Sequence, residues 1–299
     1  MRSLRDFCLR HHISALWDVA MAPYTTFRIG GNVSALLLPC NEEELTQALR
    51  FLSQNGYRFR VIGNASNLLF DDSGYRGVLI STRHMRSLSW DADGVRASAG
   101  APLNDVIRRA AEKNLGGFGK LYGIPATVGG AIFMNAGAFG LSVSDFVSFV
   151  NVWDTKEEKM RILSAEECLF SYRSSIFSVK REWIILSASL RLERVPCREG
   201  MVILRETLQK RQEKQPLFYP SAGSVFRRPE GYYVGELVEK AGLLGKKEGG
   251  ACVSSKHGGF IVNLGGASSS DVLTLIALIK QEIKNRFSVD LELEIEYMM

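Results

Sequence analysis

The sequence predicts mixed α and β layers in more than one part, and three observations carry that expectation. Strand and helix patterns alternate between residues 41 and 114. Near 195–200 the texture changes, and a long amphipathic helix leads into a glycine-rich stretch. Between them lies GIPATVGGAIFMNAGAFG (123–140), with five glycines, four alanines and no charge. Repeated strand–helix–strand units pack as mixed layers.

Each element has its own signal. NEEELTQALRFLSQNG (41–56) reads as a helix: Asn41 with Glu44 can cap it, Leu45, Ala48, Leu49 and Leu52 share a face, and Gly56 can end it. YRFRVI (57–62) alternates as a strand does, GNASN (63–67) turns the chain, and LLF (68–70) is a second short strand. SLSWDADGVRASAG (87–100) reads as a hairpin turning at Asp93-Gly94. A helix from Pro102 to Asn114 stops before Gly116-Gly117. VPCREG (195–200) marks a boundary, and MVILRETLQKRQEKQ (201–215) is an amphipathic helix. Ser268, Ser269, Ser270 and Asp271 open a helix near 270–286. The tail, VDLELEIEYM (289–298), alternates strictly and is expected to be a strand. Asp290, Glu292, Glu294 and Glu296 would share one face, with Val289, Leu291, Leu293, Ile295 and Tyr297 on the other.

At 299 residues the chain has room for two or three domains, and its 46% hydrophobic content is that of an ordered protein. A net charge of +5 suits an anionic small molecule but falls short of a nucleic-acid-binding surface. Five scattered cysteines without a C-x-x-C pair suit reduced thiols in the cytoplasm, and the four histidines lack metal-ligand spacing. MRSLRDFCLRHH lacks a signal peptide's apolar core, and VLTLIALI (272–279) is too short to span a membrane.

Two glycine-rich segments raise the question of chemistry. The turn GNASN presents backbone N–H groups that can nest a phosphate, although on its own a tight loop without a ligand is the more frequent explanation. Together with 123–140 it could clasp one extended dinucleotide. Neither segment is a G-x-G-x-x-G of a Rossmann unit or a phosphate loop ending in Gly-Lys-[Ser/Thr]. In the tail, an acidic face in water accounts for the alternation without any function. SYRSSIF (171–177) and PSAGSVF (220–226) carry an arginine and a serine that loops also hold, and no histidine neighbours either serine in sequence to suggest a hydrolase nucleophile.

Taken together and in order, these segments resemble the UDP-N-acetylenolpyruvoylglucosamine reductase family. APYTTFRIGG (22–31) and GNASNLLF (63–70) resemble its N-terminal flavin segments, and 123–140 its central flavin loop. YRSSIF (172–177), PSAGSVF (220–226) and FSVDLELEI (287–295) resemble its three catalytic segments, and AGLLGKKEGGACVSSKHGGFIVN (241–263) its substrate domain. The short interval from Phe177 to Pro220 resembles the subgroup without an extra tyrosine-bearing loop.

The resemblance implies an α+β chain with a vanillyl-oxidase-like (PCMH-type) FAD-binding fold. Two α/β subdomains, 1–85 and 86–195, would hold an extended FAD, and an α+β substrate domain, 196–299, would close over the substrate. Gly63, Asn64, Ala65, Ser66, Asn67, Leu68, Gly123, Pro125, Thr127, Gly129, Gly130, Ala131, Asn135 and Gly137 would contact FAD. Any Cβ on the glycines of 123–140 would then push the cofactor away. No histidine or cysteine stands in 63–70 or 123–140 to tether the flavin, so it is expected to be non-covalent.

NADPH is the implied co-substrate, and a UDP-sugar enolpyruvyl ether the implied substrate. Arg173 resembles the arginine that stabilises the enolate, Glu294 the glutamate that assists as the protonated acid, and Ser224 the serine that donates the final proton. Tyr172 would line the substrate. Several positions depart from the family's habit: Asn64 and Ala65 in a turn usually richer in glycine, Arg227-Arg228-Pro229 for Lys-Asn-Pro, Leu244 for a lysine, and Leu293 for a proline. Arg227, Arg228, Lys246 and Lys247 are therefore candidates for the substrate's phosphates. A cytoplasmic monomer without nucleic-acid or membrane partners is expected. The rivals are another oxidoreductase of the same flavin fold acting on a hydroxy acid or lactone, and a nucleotide-sugar-binding regulator that has lost its flavin.

Overall fold

A computed structural model describes residues 1–299, and the chain divides into two compact units. The first comprises 1–17, 35–64 and 77–209, and the second 18–34, 65–76 and 210–299.

The first unit holds one sheet and most of another, each with its own core. One sheet runs in the order Ser14–Ala20, Asn32–Leu38, Tyr75–Ser81, Phe59–Ile62, with the last two strands parallel. Against it packs the Glu42–Gln54 helix, which buries Leu45, Ala48, Leu49 and Leu52, the face expected from their spacing. Its cap is also the expected one: the Glu44 N–H donates to Asn41 Oδ1 (2.9 Å), and the Glu44 carboxylate accepts from Cys40 N–H (2.9 Å).

The other sheet is antiparallel throughout, in the order Lys159–Ser164, Val147–Asp154, Trp183–Arg191, Gly94–Ser98, Leu88–Trp90. Its last two strands are the hairpin expected at 87–100. The helix Leu103–Glu112 buries Leu103, Val106, Ile107, Ala110 and Ala111 in this second core, which also takes in Val128, Ala131 and Ile132. The long helix begins earlier than its hydrophobic pattern suggested, spanning Cys197–Lys214, because Asn114 Oδ1 accepts the Cys197 N–H and fixes its first turn.

The second unit is built on the antiparallel strands Lys247–Glu248, Ala251–Val253 and Ile261–Asn263, with the helices Val234–Lys240 and Ser269–Phe287. The longer helix opens on a capping box in which Ser268 Oγ accepts from Asp271 N–H and the Asp271 carboxylate accepts from Ser268 N–H. Asp72 adds to it, accepting the Ser269 N–H (2.8 Å).

The tail corrects the sequence expectation. Only Glu296–Met298 enters a ladder, and that ladder is parallel to Leu68–Phe70. Upstream, the extended chain makes one isolated bridge, Phe226 to Leu293. The alternation still governs burial, with Leu291 and Ile295 inside and Asp290 and Glu292 exposed, while Glu294 and Glu296 are half-buried. An apolar face needs something to pack on, not a hydrogen-bonded neighbour, so alternation alone overstates the strand.

Candidate active site

Two constellations assemble the candidate residues, one in each unit. In the first unit the two glycine-rich segments meet at their ends. Asn64 Nδ2 donates to the Pro125 carbonyl (2.7 Å), and Arg83 Nη2 donates to the Asn64 carbonyl (3.0 Å). A Cβ on Gly63 would stand 2.3 Å from Thr127 Oγ1, so this approach is open only to glycine. Thr127 in turn caps the short helix Val128–Phe133, its Oγ1 accepting from Gly130 N–H (3.3 Å).

The turn that follows Gly63, where the chain passes from the first unit into the second, is suited to an anion. The amides of Asn64, Ala65 and Ser66 make no hydrogen bond within the chain, and Ala65 is buried in a left-handed conformation (φ +50°). Successive free N–H groups around a left-handed residue form the concavity that binds phosphate oxygens.

The glycines of 123–140 require a correction, because the protein itself demands most of them. A Cβ on Gly129 would lie 2.8 Å from Ala99 Cβ and 3.1 Å from Ala99 O, where the Gly129 N–H donates to that same carbonyl (2.8 Å). One on Gly137 would meet Leu141 O at 2.7 Å. Gly123 and Gly140 have φ of +90° and +82°. Only Gly130 stands clear, with Thr127 Oγ1 its sole neighbour at 3.4 Å. Asn135 is likewise occupied, donating to Ser171 O (2.9 Å) and accepting from Ser144 N–H (3.2 Å).

That contact with Ser171 supports the arginine. Ser171 and Ser174 exchange backbone hydrogen bonds (3.0 and 3.2 Å), leaving Tyr172 and Arg173 at the tip of a tight turn. Arg173 sits at φ +53°, a conformation costly for a branched or long side chain and often found at functional sites. Its Nη2 donates to Gly137 O (3.0 Å), and its guanidinium lies over the Tyr172 ring at 5.1 Å. A Cβ on Gly137 would crowd Arg173 Nη1 at 3.2 Å.

In the second unit the structure brings Ser224 and Glu294 onto adjoining segments. The Glu294 N–H donates to Val225 O (2.8 Å), the Arg227 N–H to Glu292 O (2.9 Å), and Ser224 faces Phe260 across an antiparallel bridge. Gly223, at φ +79°, supplies the turn before the serine. Asn67 holds the tail from the other side: its Nδ2 donates to Glu294 O (2.8 Å), and its carbonyl accepts the Glu296 N–H (2.9 Å). Further along, the Tyr297 hydroxyl binds the Asp71 carboxylate, and hydrogen bonds from Ser73 and Tyr297 hold that carboxyl below the usual range.

The basic candidates are more dispersed. Arg227 is half-buried beside Glu292 (3.9 Å), with its Nε buried and unpartnered. Arg228 is exposed, its guanidinium 3.8 Å from the Tyr233 ring centroid. Lys246 and Lys247 are exposed at the edge of the three-stranded sheet.

One residue near Ser224 escaped sequence reasoning. His257 Nδ1 accepts the Gly259 N–H (3.0 Å), and burial lowers the imidazole's pKa. Thirty-three positions separate it from the serine, so only the strand pairing at Phe260 reveals the relation.

The family model for the C-terminal domain of UDP-N-acetylenolpyruvoylglucosamine reductase matches residues 215–298, and a model for an FAD-binding domain matches 33–163. UDP-N-acetylenolpyruvoylglucosamine reductase of Caldanaerobacter subterraneus is 45% identical over 276 residues, covering 92% of this chain and 91% of that protein. Its counterpart in Carboxydothermus hydrogenoformans is 43% identical over 280 residues, 93% and 92% of the two chains. The crystal structure of UDP-N-acetylenolpyruvylglucosamine reductase from Thermus caldophilus superposes with a TM-score of 0.80 at 31% identity, covering 96% of this chain and 99% of that one. No helix is long and apolar enough to cross a membrane. A similarity this high along nearly the whole of both chains shows that the chain belongs to the UDP-N-acetylenolpyruvoylglucosamine reductase family.

Proposed function

We propose that this chain is an NADPH-dependent flavoenzyme that reduces UDP-N-acetylglucosamine enolpyruvate to UDP-N-acetylmuramate for peptidoglycan synthesis. The observation that carries this reading is the pairing of Ser224 and Glu294 on segments joined by the Glu294 N–H to Val225 O bond, in a family member matched along nearly its full length.

The fit to FAD rests on the turn at 64–66, whose open amides would take the pyrophosphate, and on Gly130, whose missing Cβ leaves room that the protein does not fill. Bound there, FAD supplies hydride transfer from NADPH to the terminal vinyl carbon of the enolpyruvyl ether. Thr127, Pro125 and Gly63 hold the two cradle segments together.

The chain's own residues handle the charge and the proton. Arg173 presents a planar cation whose fork suits the substrate carboxylate, into which the developing negative charge spreads. Ser224 holds the proton destined for the carbon next to that carboxylate. Glu294 assists as the protonated acid, since a second anion there would oppose the reaction. Tyr172 lines the substrate, and Arg227, Arg228, Lys246 and Lys247 supply positive charge for its diphosphate. Subdomains at 1–85 and 86–195 would carry the flavin and 196–299 the substrate; the two separate cores support the first boundary, whereas 18–34 and 65–76 group with 210–299, and 196–209 with the first unit. We place the enzyme in the cytoplasm as a monomer, and the five unpaired cysteines suit a reducing compartment.

The test is the visible spectrum of the purified protein, followed by NADPH oxidation with and without the enolpyruvyl sugar nucleotide. A yellow protein whose NADPH oxidation is driven by that nucleotide is expected. A colourless protein, or NADPH oxidation indifferent to the nucleotide, refutes the proposal.

A further inference from the structure

The segment SSKHGGF (254–260) forms a closed turn beside Ser224. Ser254 Oγ accepts the N–H groups of Lys256 (3.1 Å) and His257 (3.3 Å), and the Ser254 N–H donates to Phe260 O (2.9 Å). At its centre stands His257. Its ring meets Phe260 edge-on at 5.0 Å, and Nδ1 accepts the Gly259 N–H. An imidazole accepting at Nδ1 carries its proton on Nε2.

The hydrogen-bond path continues from there to the residue that follows the serine. The carbonyl of Gly259 accepts the Val225 N–H (2.9 Å), and Phe260 bridges Ser224. The bare Cα of Gly259 is flanked by both groups: a Cβ there would lie 3.0 Å from His257 Cε1, 3.1 Å from Nδ1 and 3.9 Å from Ser224 Oγ. The backbone of Gly259 is thus gripped at its amide by the histidine and at its carbonyl by the residue next to Ser224.

We propose that His257 is a positioning residue for Ser224: by holding the Gly259 amide it fixes the backbone against which the serine hydroxyl is aimed. The inference rests on the proposed reductase chemistry, and gives a role to a histidine that touches no reacting atom. A neutral ring is required, because a proton on Nδ1 would face the Gly259 N–H and abolish the bond. Burial, which lowers the pKa of His257, works in that direction.

Two variants of the holoenzyme test it, followed by stopped-flow absorbance of the flavin. His257→Asn places an amide oxygen where Nδ1 stood, whereas His257→Gln moves the acceptor one bond further out. The glutamine variant should retain FAD and be reduced by NADPH at the wild-type rate, yet be reoxidised by the enolpyruvyl nucleotide about 10- to 100-fold more slowly, as misplacement of a reacting group costs. The asparagine variant should recover most of that loss. Equal reoxidation rates in the two variants, or wild-type reoxidation in both, overturn the proposal. If the glutamine variant fails to hold flavin, Gly259→Ala decides: its Cβ presses on the imidazole, so slow reoxidation with normal reduction supports the role and wild-type reoxidation removes it. A wild-type protein that cannot use the enolpyruvyl nucleotide at all defeats the reductase reading itself, and this inference with it.

Discussion

Replacing Gly129 by alanine separates two explanations of the glycine-rich loop. The new Cβ would meet Ala99 Cβ, O and Cα at 2.8, 3.1 and 3.2 Å, and none of these atoms can rotate away. Overpacking costs about 1–3 kcal/mol, and rigid backbone neighbours put this case near the upper end. Alanine regains about 1 kcal/mol in the helix Val128–Phe133, leaving a net loss of about 2 kcal/mol. At roughly 2–4 °C per kcal/mol for a unit of this size, melting should fall by about 4–8 °C. The assay is thermal unfolding of the flavin-free protein beside Gly130→Ala, whose Cβ meets only Thr127 Oγ1. Gly130→Ala should melt no lower than wild type and, if the loop faces the cofactor, bind FAD more weakly. An unchanged melting temperature in flavin-free Gly129→Ala, with impaired FAD binding, would refute the packing argument.

The other predictions follow from the two constellations. Arg173→Lys keeps the charge but loses the fork and its bond to Gly137 O, so reoxidation by substrate should fall by about 10²-fold or more while reduction by NADPH persists. Turnover like wild type in that variant removes the anion-stabilising role. Asn67→Ala deletes the bond to Glu294 O, a contact of about 0.5–1.5 kcal/mol, and should slow reoxidation; combined with Glu294→Gln the two losses should be less than additive. Strict additivity in that cycle would mean that Asn67 does not act through Glu294.

Much of this was legible in the sequence because local rules sufficed. The Asn41 cap, the Asp93-Gly94 hairpin and the Ser268–Asp271 capping box are each written within a few residues and appear where expected. The glycines of 123–140 suggest room for a ligand, but Ala99 and Leu141 claim much of that room, and a close approach between segments leaves no mark beyond the glycine itself. Alternation in the tail places Leu291 and Ile295 inside correctly, but it misses the half-burial of Glu294 and Glu296 and overstates the strand, since it says nothing about a ladder partner. The Asn67–Glu294 bond spans 227 positions and His257 reaches the Ser224 segment through the backbone of Gly259 and Phe260, so neither has a local signature.

The most direct measurement is stopped-flow flavin absorbance of Ser224→Ala in its two half-reactions. If Ser224 supplies the proton and nothing else, the variant binds FAD and is bleached by NADPH at close to the wild-type rate. It then stalls on the enolpyruvyl nucleotide, by about 10²–10⁴-fold, the range of a general acid. Slow bleaching by NADPH would assign the serine to the nicotinamide step or to structure. Rapid reoxidation by the nucleotide would contradict the account outright, because no proton from Ser224 would then be needed.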